Sequence, residues 1–254
     1  AMMKVMKYRG PDEEGIYTDK NFAMGMVRLS IIDLSTGKQP IYNEDNSLAI
    51  VFNGEIYNFK EIRALLEKKH QFKTNSDTEV IIHAYEEWGP DCVKKFNGMF
   101  AFAIYDIKKK KLFIARDRLG IKPLYYTIHD DVLYFGSEIK VLLENKDIPK
   151  IIDYNSVNQF LSYRFVLGEK TILKNIKRLL PGHTLTFEKN NLKIKKYWDA
   201  KSTEEITDLD AAKYKVRKEL RDAVERRLIS DVPLGALLSG GLDSSAIVAM
   251  MKDF

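Results

Sequence analysis

The chain has 254 residues, 45% of them hydrophobic and 30% charged, and a formal net charge of +5. That is ordinary globular composition and excludes disordered or fibrous classes. Its longest apolar runs, Met99–Tyr105 and Ala246–Met251, fall far short of the roughly 18 residues of a membrane span, so no membrane partner is expected.

The single cysteine, Cys92, excludes an internal disulfide framework and fits a reducing, cytoplasmic compartment. The basic excess sits in short runs, Lys108–Lys111 and Lys193–Lys196. Each lies where a hairpin turns or exposes an edge, without interleaved aromatic residues, so no nucleic-acid partner is expected.

In chain order, Ala1–Tyr8 is a short Met-rich helical pattern carrying Lys4 and Lys7, not a secretory signal. Arg9–Gly15, RGPDEEG, is a loop leading to a strand over Gly25–Ser30, with Met24, Met26 and Arg28 on one face. Arg28 either pairs with an acid such as Asp33 or holds a substrate carboxylate in its forked guanidinium. Leu48–Phe59, LAIVFNGEIYNF, is an apolar strand that ends at Asn53-Gly54 and hands over to an amphipathic helix, Lys60–Lys69. The Asn-Gly pair is either a tight turn of positive φ or an oxyanion hole, an amide donor beside a backbone N–H that no Cβ shields.

Ser76 and Glu79 read as a capping box for a helix over Thr78–Trp88. Asp77, beside that start, either complements the helix dipole or accepts hydrogen bonds from a substrate ammonium. His83 has no metal-ligand neighbour at useful spacing and is expected to be a satisfied core or surface histidine, as are His70, His129 and His183. Cys92, between Gly89-Pro90 and Asn97-Gly98, is expected to be a small core residue and not a nucleophile.

Met99–Gly136 reads as one meandering sheet of short strands: Met99–Tyr105, Lys111–Arg116, Leu124–Ile128 and Val132–Gly136. Helical stretches follow at Glu138–Leu143 and Asn155–Ser162, then a strand pair, His183–Glu188 and Leu192–Tyr197, turning on Asn190-Asn191. The polar link Ala200–Asp208 is the expected boundary between domains over 1–200 and 205–254. Beyond it come a helix, Asp210–Leu228, an apolar strand, Pro233–Leu238, the glycine loop Ser239-Gly240-Gly241, and a helix from Ser244. Strand, glycine loop and helix start present backbone N–H groups and a positive dipole end to phosphate. No lysine follows the glycines, so the loop is not of the Walker type.

RGPDEEG, RLSIID, QP, FNGEIYN, SDTEV, NGMFAFAIYD, RDRLGIKPLYY, GSEIK, LLPGH and LLSGGLDSS, in this order and spacing, resemble the glutamine-dependent asparagine synthetases of bacteria and archaea. The resemblance implies an α+β fold: a four-layer αββα glutaminase domain of the N-terminal-nucleophile hydrolase type. The first elements of an α/β parallel-sheet nucleotide-binding synthetase domain would follow. It implies that Arg28 holds the glutamine α-carboxylate and that Leu29, Ser30, Ile31 and Ile32 line the site. Asn53 and Gly54 would form the oxyanion hole, and Glu55 and Asp77 would bind glutamine, Asp77 through the amino group. Leu238, Ser239, Gly240, Gly241, Asp243 and Ser244 would carry ATP.

The activity so implied joins ammonia from glutamine to a β-aspartyl-AMP made from aspartate and ATP. Asparagine, AMP, pyrophosphate and glutamate are its products, with Mg2+ balancing phosphate charge; a homodimer is left open. The family's nucleophile is a cysteine in a Met-Cys-Gly start well before the RGPD loop, whereas here Arg9 already begins that loop and the chain opens Ala1-Met2-Met3. The chain is therefore expected to be a fragment truncated at both ends, inactive alone and lacking the first glutaminase strand. Two other readings are a non-catalytic glutamine-binding module and an amidotransferase with another acceptor. A sugar-phosphate amidotransferase is disfavoured by Leu238–Ser245.

Overall fold

Period-two runs of apolar residues become the strands of the computed structural model, which describes residues 1–202 and 205–254. A 3-10 helix, Lys4–Arg9, precedes a hairpin of β1 (Glu13–Thr18) and β2 (Ala23–Arg28). Next come β3 (Ile41–Tyr42), β4 (Leu48–Ile56), α1 (Phe59–Leu66) and α2 (Asp77–Trp88). The chain continues through β5 (Gly98–Asp106), β6 (Lys111–Arg116), β7 (Tyr125–His129), β8 (Val132–Gly136), α3 (Ile139–Leu142) and α4 (Tyr154–Tyr163). It closes with β9 (Lys177–Arg178), β10 (His183–Glu188), β11 (Asn191–Lys196), α5 (Leu209–Arg226) and α6 (Leu242–Met251).

The main sheet has six strands in the order β11-β10-β6-β5-β4-β3, each neighbouring pair antiparallel. Alternation along β4 and β5 decides what each face meets. Leu48, Ile50, Phe52 and Ile56, with Phe100, Phe102 and Ile104, pack on Phe59, Ile62 and Leu66 of α1 and on Val80, Ile81 and Ala84 of α2. Ala49, Val51, Ala101, Ala103 and Tyr105 face the other way, toward Met24 of β2 and Tyr126 of β7. A sheet covered on both faces carries near-continuous apolar runs, which is why Phe100–Tyr105 is buried throughout. Beyond the second sheet layer, Leu142 of α3 packs with Ile148, Ile176, Tyr125 and Tyr134. The layers therefore run helix, sheet, sheet, helix.

Several expectations are corrected. The stretch Met99–Gly136 is not one meander: β5 and β6 belong to the six-stranded sheet, whereas β7 and β8 pair in a three-stranded sheet, β8-β7-β9. The loop after Arg116 carries the chain from one layer to the other. The second layer is itself divided, since no ladder among the described residues joins the β1-β2 hairpin to that three-stranded sheet. The N-terminal segment packs against both: Met3 lies where a Cβ on Gly25 would fall 2.4 Å from its Sδ, and Met2 joins the α3 cluster.

The hairpin of β10 and β11 turns on Lys189 and Asn190, both at positive φ, one residue earlier than Asn190-Asn191. Ser76 accepts from the Thr78 N–H as expected of a cap, but Glu79 does not reach back to it. Glu79 instead binds the N–H groups of Lys73 and Thr74 and the Thr74 hydroxyl, at 2.8, 2.7 and 2.6 Å. Pro233–Leu238 pairs with no strand among the described residues, because a single β segment without neighbours has no ladder to join.

The expected link 200–208 lies partly outside the described residues. After α5 the chain returns to the first layers. Arg227 stacks over Tyr57 at 4.7 Å, Ile229 packs on the helix-side core, and Asp231 accepts from the Asp33 N–H at 2.7 Å while donating its own N–H to Ile31 O at 3.0 Å. No helix among the described residues is long and apolar enough to cross a membrane.

Candidate active site

A cavity of about 690 Å3 opens between the two sheet layers. Its walls come from β2, β4, β5, β8, the start of α2 and the N-terminal segment; Arg28, Leu29, Ile31, Ile32, Asn53, Gly54, Glu55 and Asp77 all line it. Residues spread over some fifty positions of sequence are thus brought to one space. Ser30 is not among the lining residues. Its N–H is held by Asp12 at 2.8 Å, and its hydroxyl is buried without a partner.

Asn53-Gly54 is not a turn. The strand runs through it, Asn53 opposite Ala101 and Gly54 opposite Phe100, and ends at Ile56. Glycine is required for a different reason: φ is +152°, and a Cβ would lie 2.0 Å from Met99 O and 2.8 Å from Phe100 Cα. The Asn53 carboxamide is bonded by no described residue, so its two N–H donors are available to a ligand in the cavity.

Asp77 is the first residue of α2 and is buried. Its Oδ2 accepts from the Ile56 N–H at 2.9 Å, tying the helix start to the end of β4. Burial pushes its carboxyl up to about 7, with the Glu55 charge adding to the rise and the Ile56 N–H opposing it. Burial also raises Glu55, against the pull of Lys122, and lowers Lys122, against the pull of Glu55. The cavity therefore holds two carboxyl groups with unsatisfied demand for a cation, and Lys122 and Arg28 beside them.

Arg28 does not pair with the Asp33 carboxylate. Its Nη1 pairs with Glu13 at 2.9 Å, and its Nη2 donates to the carbonyls of Ile32 and Asp33 at 2.6 and 2.9 Å. The Asp33 carboxylate is engaged by the Thr36 N–H and hydroxyl and by the Asn75 N–H, at 2.9, 2.5 and 2.8 Å. A guanidinium carries five N–H donors, so donors remain over for a ligand.

Four residues that hold this geometry were not singled out from the sequence. Glu13 anchors Arg28. Gln39 bonds the backbone of Phe52, next to Asn53. Lys122 lines the cavity. Asp117, fully buried, accepts from the N–H groups of Phe100, Leu119, Ile121 and Lys122 at 3.1, 3.1, 2.9 and 3.0 Å. It thereby fixes Phe100, opposite Gly54, and Lys122 together. The only signals in sequence are their positions within RGPDEEG, QP and RDRLGIKPLYY.

Cys92, fully buried in the helix-side core, is remote from the cavity lining, and burial pushes its thiol well up. It has the character of a small core residue.

The second expected site, Leu238–Ser244, is an exposed loop that runs into the first turn of α6, outside this cavity. Gly240 has φ +81°, and α6 starts at Leu242, two residues before the expected Ser244, with Gly241 as its cap. Ser239 and Ser244 hydroxyls lie 3.0 Å apart, and the Ser244 hydroxyl donates to Gly241 O at 3.0 Å. Asp243 stands in the first turn of α6.

With this geometry in place, comparison with known families is decisive. Residues 1–198 match the glutamine amidotransferase domain family, and residues 215–254 match the asparagine synthase family. The chain belongs to the glutamine amidotransferase domain family. Its match runs through every cavity-lining residue named above. Among similar proteins, glutamine-hydrolysing asparagine synthetase 3 of Bacillus subtilis is 42% identical over 258 residues, covering 98% of this chain and 41% of that protein. A putative glutamine-hydrolysing asparagine synthetase 2 of Methanocaldococcus jannaschii is 41% identical over 276 residues, covering 100% and 53%. The chain thus spans about two fifths to one half the length of these relatives.

Among solved structures, the glutamine phosphoribosylpyrophosphate amidotransferase of B. subtilis, complexed with ADP and GMP, aligns with a TM-score of 0.56 at 17% identity. It covers 100% of this chain and 60% of that one. At that identity the likeness speaks for the fold alone, the N-terminal-nucleophile hydrolase arrangement of the amidotransferase domain.

Proposed function

We propose that this chain is the glutaminase part, with the first nucleotide loop, of an ATP-dependent ligase that makes asparagine from aspartate and glutamine. The observation that carries the reading is the buried Asp77, raised to about 7 by burial, in one cavity with Arg28 and an unbonded Asn53 carboxamide. A free amino acid carries an ammonium and a carboxylate on one carbon and needs opposite charges close together; Asp77 with Glu55, and the remaining donors of Arg28, supply them.

Bound so, the glutamine side chain extends along β4. Its amide oxygen, as it becomes an oxyanion, accepts from Asn53 Nδ2 and the Gly54 N–H. A nucleophile attacks the amide carbon, ammonia leaves, and water releases glutamate. Cys92 is walled off in the core, so the reading takes its thiol from outside these residues. The backbone lining of Leu29, Ile31 and Ile32 walls the site, and Ser30, outside the cavity, has no ligand role in this reading.

Leu238–Ser244 is read as the ATP pyrophosphate loop. Its glycines and small hydroxyls leave N–H groups at the start of α6 accessible to phosphate, with Asp243 and Ser244 alongside. Mg2+ accompanies ATP in such chemistry, bound chiefly through phosphate oxygens and water. The boundary between the two parts is read within 200–208, which the gap between the family matches, ending at 198 and resuming at 215, supports.

The test is calorimetric titration, with L-glutamine, of the purified full-length protein that contains this chain, then assay of its glutamate release and of asparagine formation from aspartate and ATP. Glutamine binding abolished by Asp77→Asn, with both products formed by the parent protein, supports the ligase. Binding without glutamate release favours a glutamine-binding module, and glutamate release without asparagine favours another acceptor. No glutamine binding sinks the reading.

A further inference from the structure

Two histidines whose spacing in sequence indicated no metal-ligand role are neighbours. His83 of α2 and His70, in the chain after α1, stack with ring centroids 4.6 Å apart and turn their Nδ1 atoms to the same two carboxylates. His70 Nδ1 lies 3.1 Å from Glu44 Oε1 and 3.6 Å from Glu86 Oε2. His83 Nδ1 lies 3.5 Å from Glu44 Oε2 and 2.8 Å from Glu86 Oε2. One donor atom from each of the four residues falls within 4.8 Å of all the others. A tetrahedral ion with bonds of about 2.0–2.1 Å sets its donors about 3.3 Å apart, so no pair of this set, all within 4.8 Å, has to close by more than about 1.5 Å.

An independent observation lies behind the rings. His83 Nε2 and His70 Nε2 are both buried and without a hydrogen-bond partner. They face Glu79 Oε1 at 3.7 Å and Glu87 Oε1 at 3.4 Å. A metal-bound imidazole characteristically turns its other ring nitrogen to a carboxylate, which fixes the tautomer and makes the ring a better donor. Small movements would complete both contacts.

The carboxylates are themselves held. Asn43 Nδ2 donates to Glu86 Oε1 at 2.7 Å, leaving Glu86 Oε2 for both imidazoles, and the Gln71 N–H donates at 3.1 Å to Glu44 Oε1, the oxygen that also faces His70, while Glu44 Oε2 faces His83. Around two imidazoles stand Glu44, Glu79, Glu86 and Glu87, with Lys69 on Glu87 at 2.5 Å. That acid excess calls for further positive charge, supplied by protons or by one divalent ion.

We propose that Glu44, His70, His83 and Glu86 bind a divalent transition-metal ion of the zinc class. Two imidazoles and two carboxylates exclude the all-oxygen preference of Mg2+ or Ca2+, and four protein donors close the shell, as in a structural site. The ion ties the β3-β4 turn and the chain after α1 to α2, the helix whose first residue is Asp77. It is a clamp on the scaffold and takes no part in the amide chemistry.

The experiment begins with chelator-stripped protein dialysed against Zn2+, with bound metal counted by mass spectrometry; Co2+ substitution then reads the geometry by visible absorption. One ion per chain, an intense tetrahedral Co2+ band and a higher melting temperature with Zn2+ are expected. His70→Gln and Glu86→Gln should each lose the ion, the band and the melting shift. Glu79→Gln, acting from behind His83, should weaken binding about 10–100-fold. His70 and Glu86 lie at the margin of the fold, so those variants remain testable if His83→Gln fails to fold. Absence of tight Zn2+ binding would mean that protons alone balance the cluster. Binding unchanged in His70→Gln and Glu86→Gln would place the metal elsewhere; either result overturns the proposal.

Discussion

Gln39 pairs with Phe52 by its side chain as a strand would by its backbone. Its Oε1 accepts from the Phe52 N–H at 2.7 Å and its Nε2 donates to the Phe52 carbonyl at 3.1 Å. The ladder of β3 and β4 matches Ile41 with Ile50 and Tyr42 with Ala49. Continued, that register puts Gln39 opposite Phe52, where its carboxamide replaces the missing main-chain partner. The residue so held immediately precedes Asn53.

Gln39→Ala should leave both buried polar groups of Phe52 unpaired. A loss of about 1–3 kcal/mol is expected in urea unfolding, together with weaker glutamine binding because β4 loosens just before Asn53. An unchanged unfolding midpoint would show that water or a neighbour replaces the carboxamide.

Glutamine binding should depend on the charge of Asp77. Its carboxyl titrates at about 7, so below that pH it is neutral and cannot pair with an ammonium. Affinity should rise about tenfold per pH unit up to pH 7 and then level off. Calorimetry between pH 5.5 and 8.5 checks this, and a flat profile argues against an ionic role.

Stability should move the opposite way. A carboxyl whose folded value is raised binds its proton more tightly in the native state, so its contribution is complete below the unfolded value near 4 and is lost as pH rises through about 7. Asp77→Asn should therefore melt higher than the parent protein at pH 8 and equally at pH 4, while failing to bind glutamine. Equal melting of the two proteins at pH 8 would contradict the burial argument.

Gly54→Ala should be among the costliest single changes. The added Cβ meets the Met99 carbonyl at 2.0 Å, backbone that cannot swing aside as a side chain can. Overpacking together with an unfavourable φ amounts to about 2–4 kcal/mol, read from chemical denaturation. Gly235→Ala, where nothing lies within 4 Å, is the control and should be nearly silent.

Asp231 fastens the segment after α5 to the loop that lines the cavity, through Asp33 N–H and Ile31 O. Asp231→Ala should speed amide hydrogen exchange over residues 29–36 while leaving β4 and β5 protected. Glutamine affinity should fall modestly. Unchanged exchange in that loop would show that Asp33 holds it by itself through Thr36 and Asn75.

Local chemistry was legible where neighbours in sequence are neighbours in space. Alternation placed seven of the eleven described strands to within a residue or two, but it missed β1, β3 and β9 and ended β4 too early; Ser76 does cap α2. Lys193–Lys196 do lie on an edge strand and Lys108–Lys110 do lie in a hairpin turn. Asn53-Gly54 shows the limit: the pair looks like a turn because its own conformational preferences favour one, yet nine successive pairings with β5 hold it in a strand. Cooperative long-range pairing outweighs the preference of two residues.

The same distinction runs through the sites. The sequence by itself determined which side chains could serve: an arginine, an asparagine beside a glycine and an aspartate at a helix start. It also determined the family to which their order belongs. Tertiary structure alone decided their partners. Arg28 is claimed by Glu13 and not by Asp33, Ser30 is turned out of the cavity, and Lys122 and Gln39 are brought in. His83 finds His70, Glu44 and Glu86 although no ligand spacing announces them. The reason is physical: charge and hydrogen bonding act over a few ångströms, and which atoms come that close is decided by how the layers stack, not by separation along the chain.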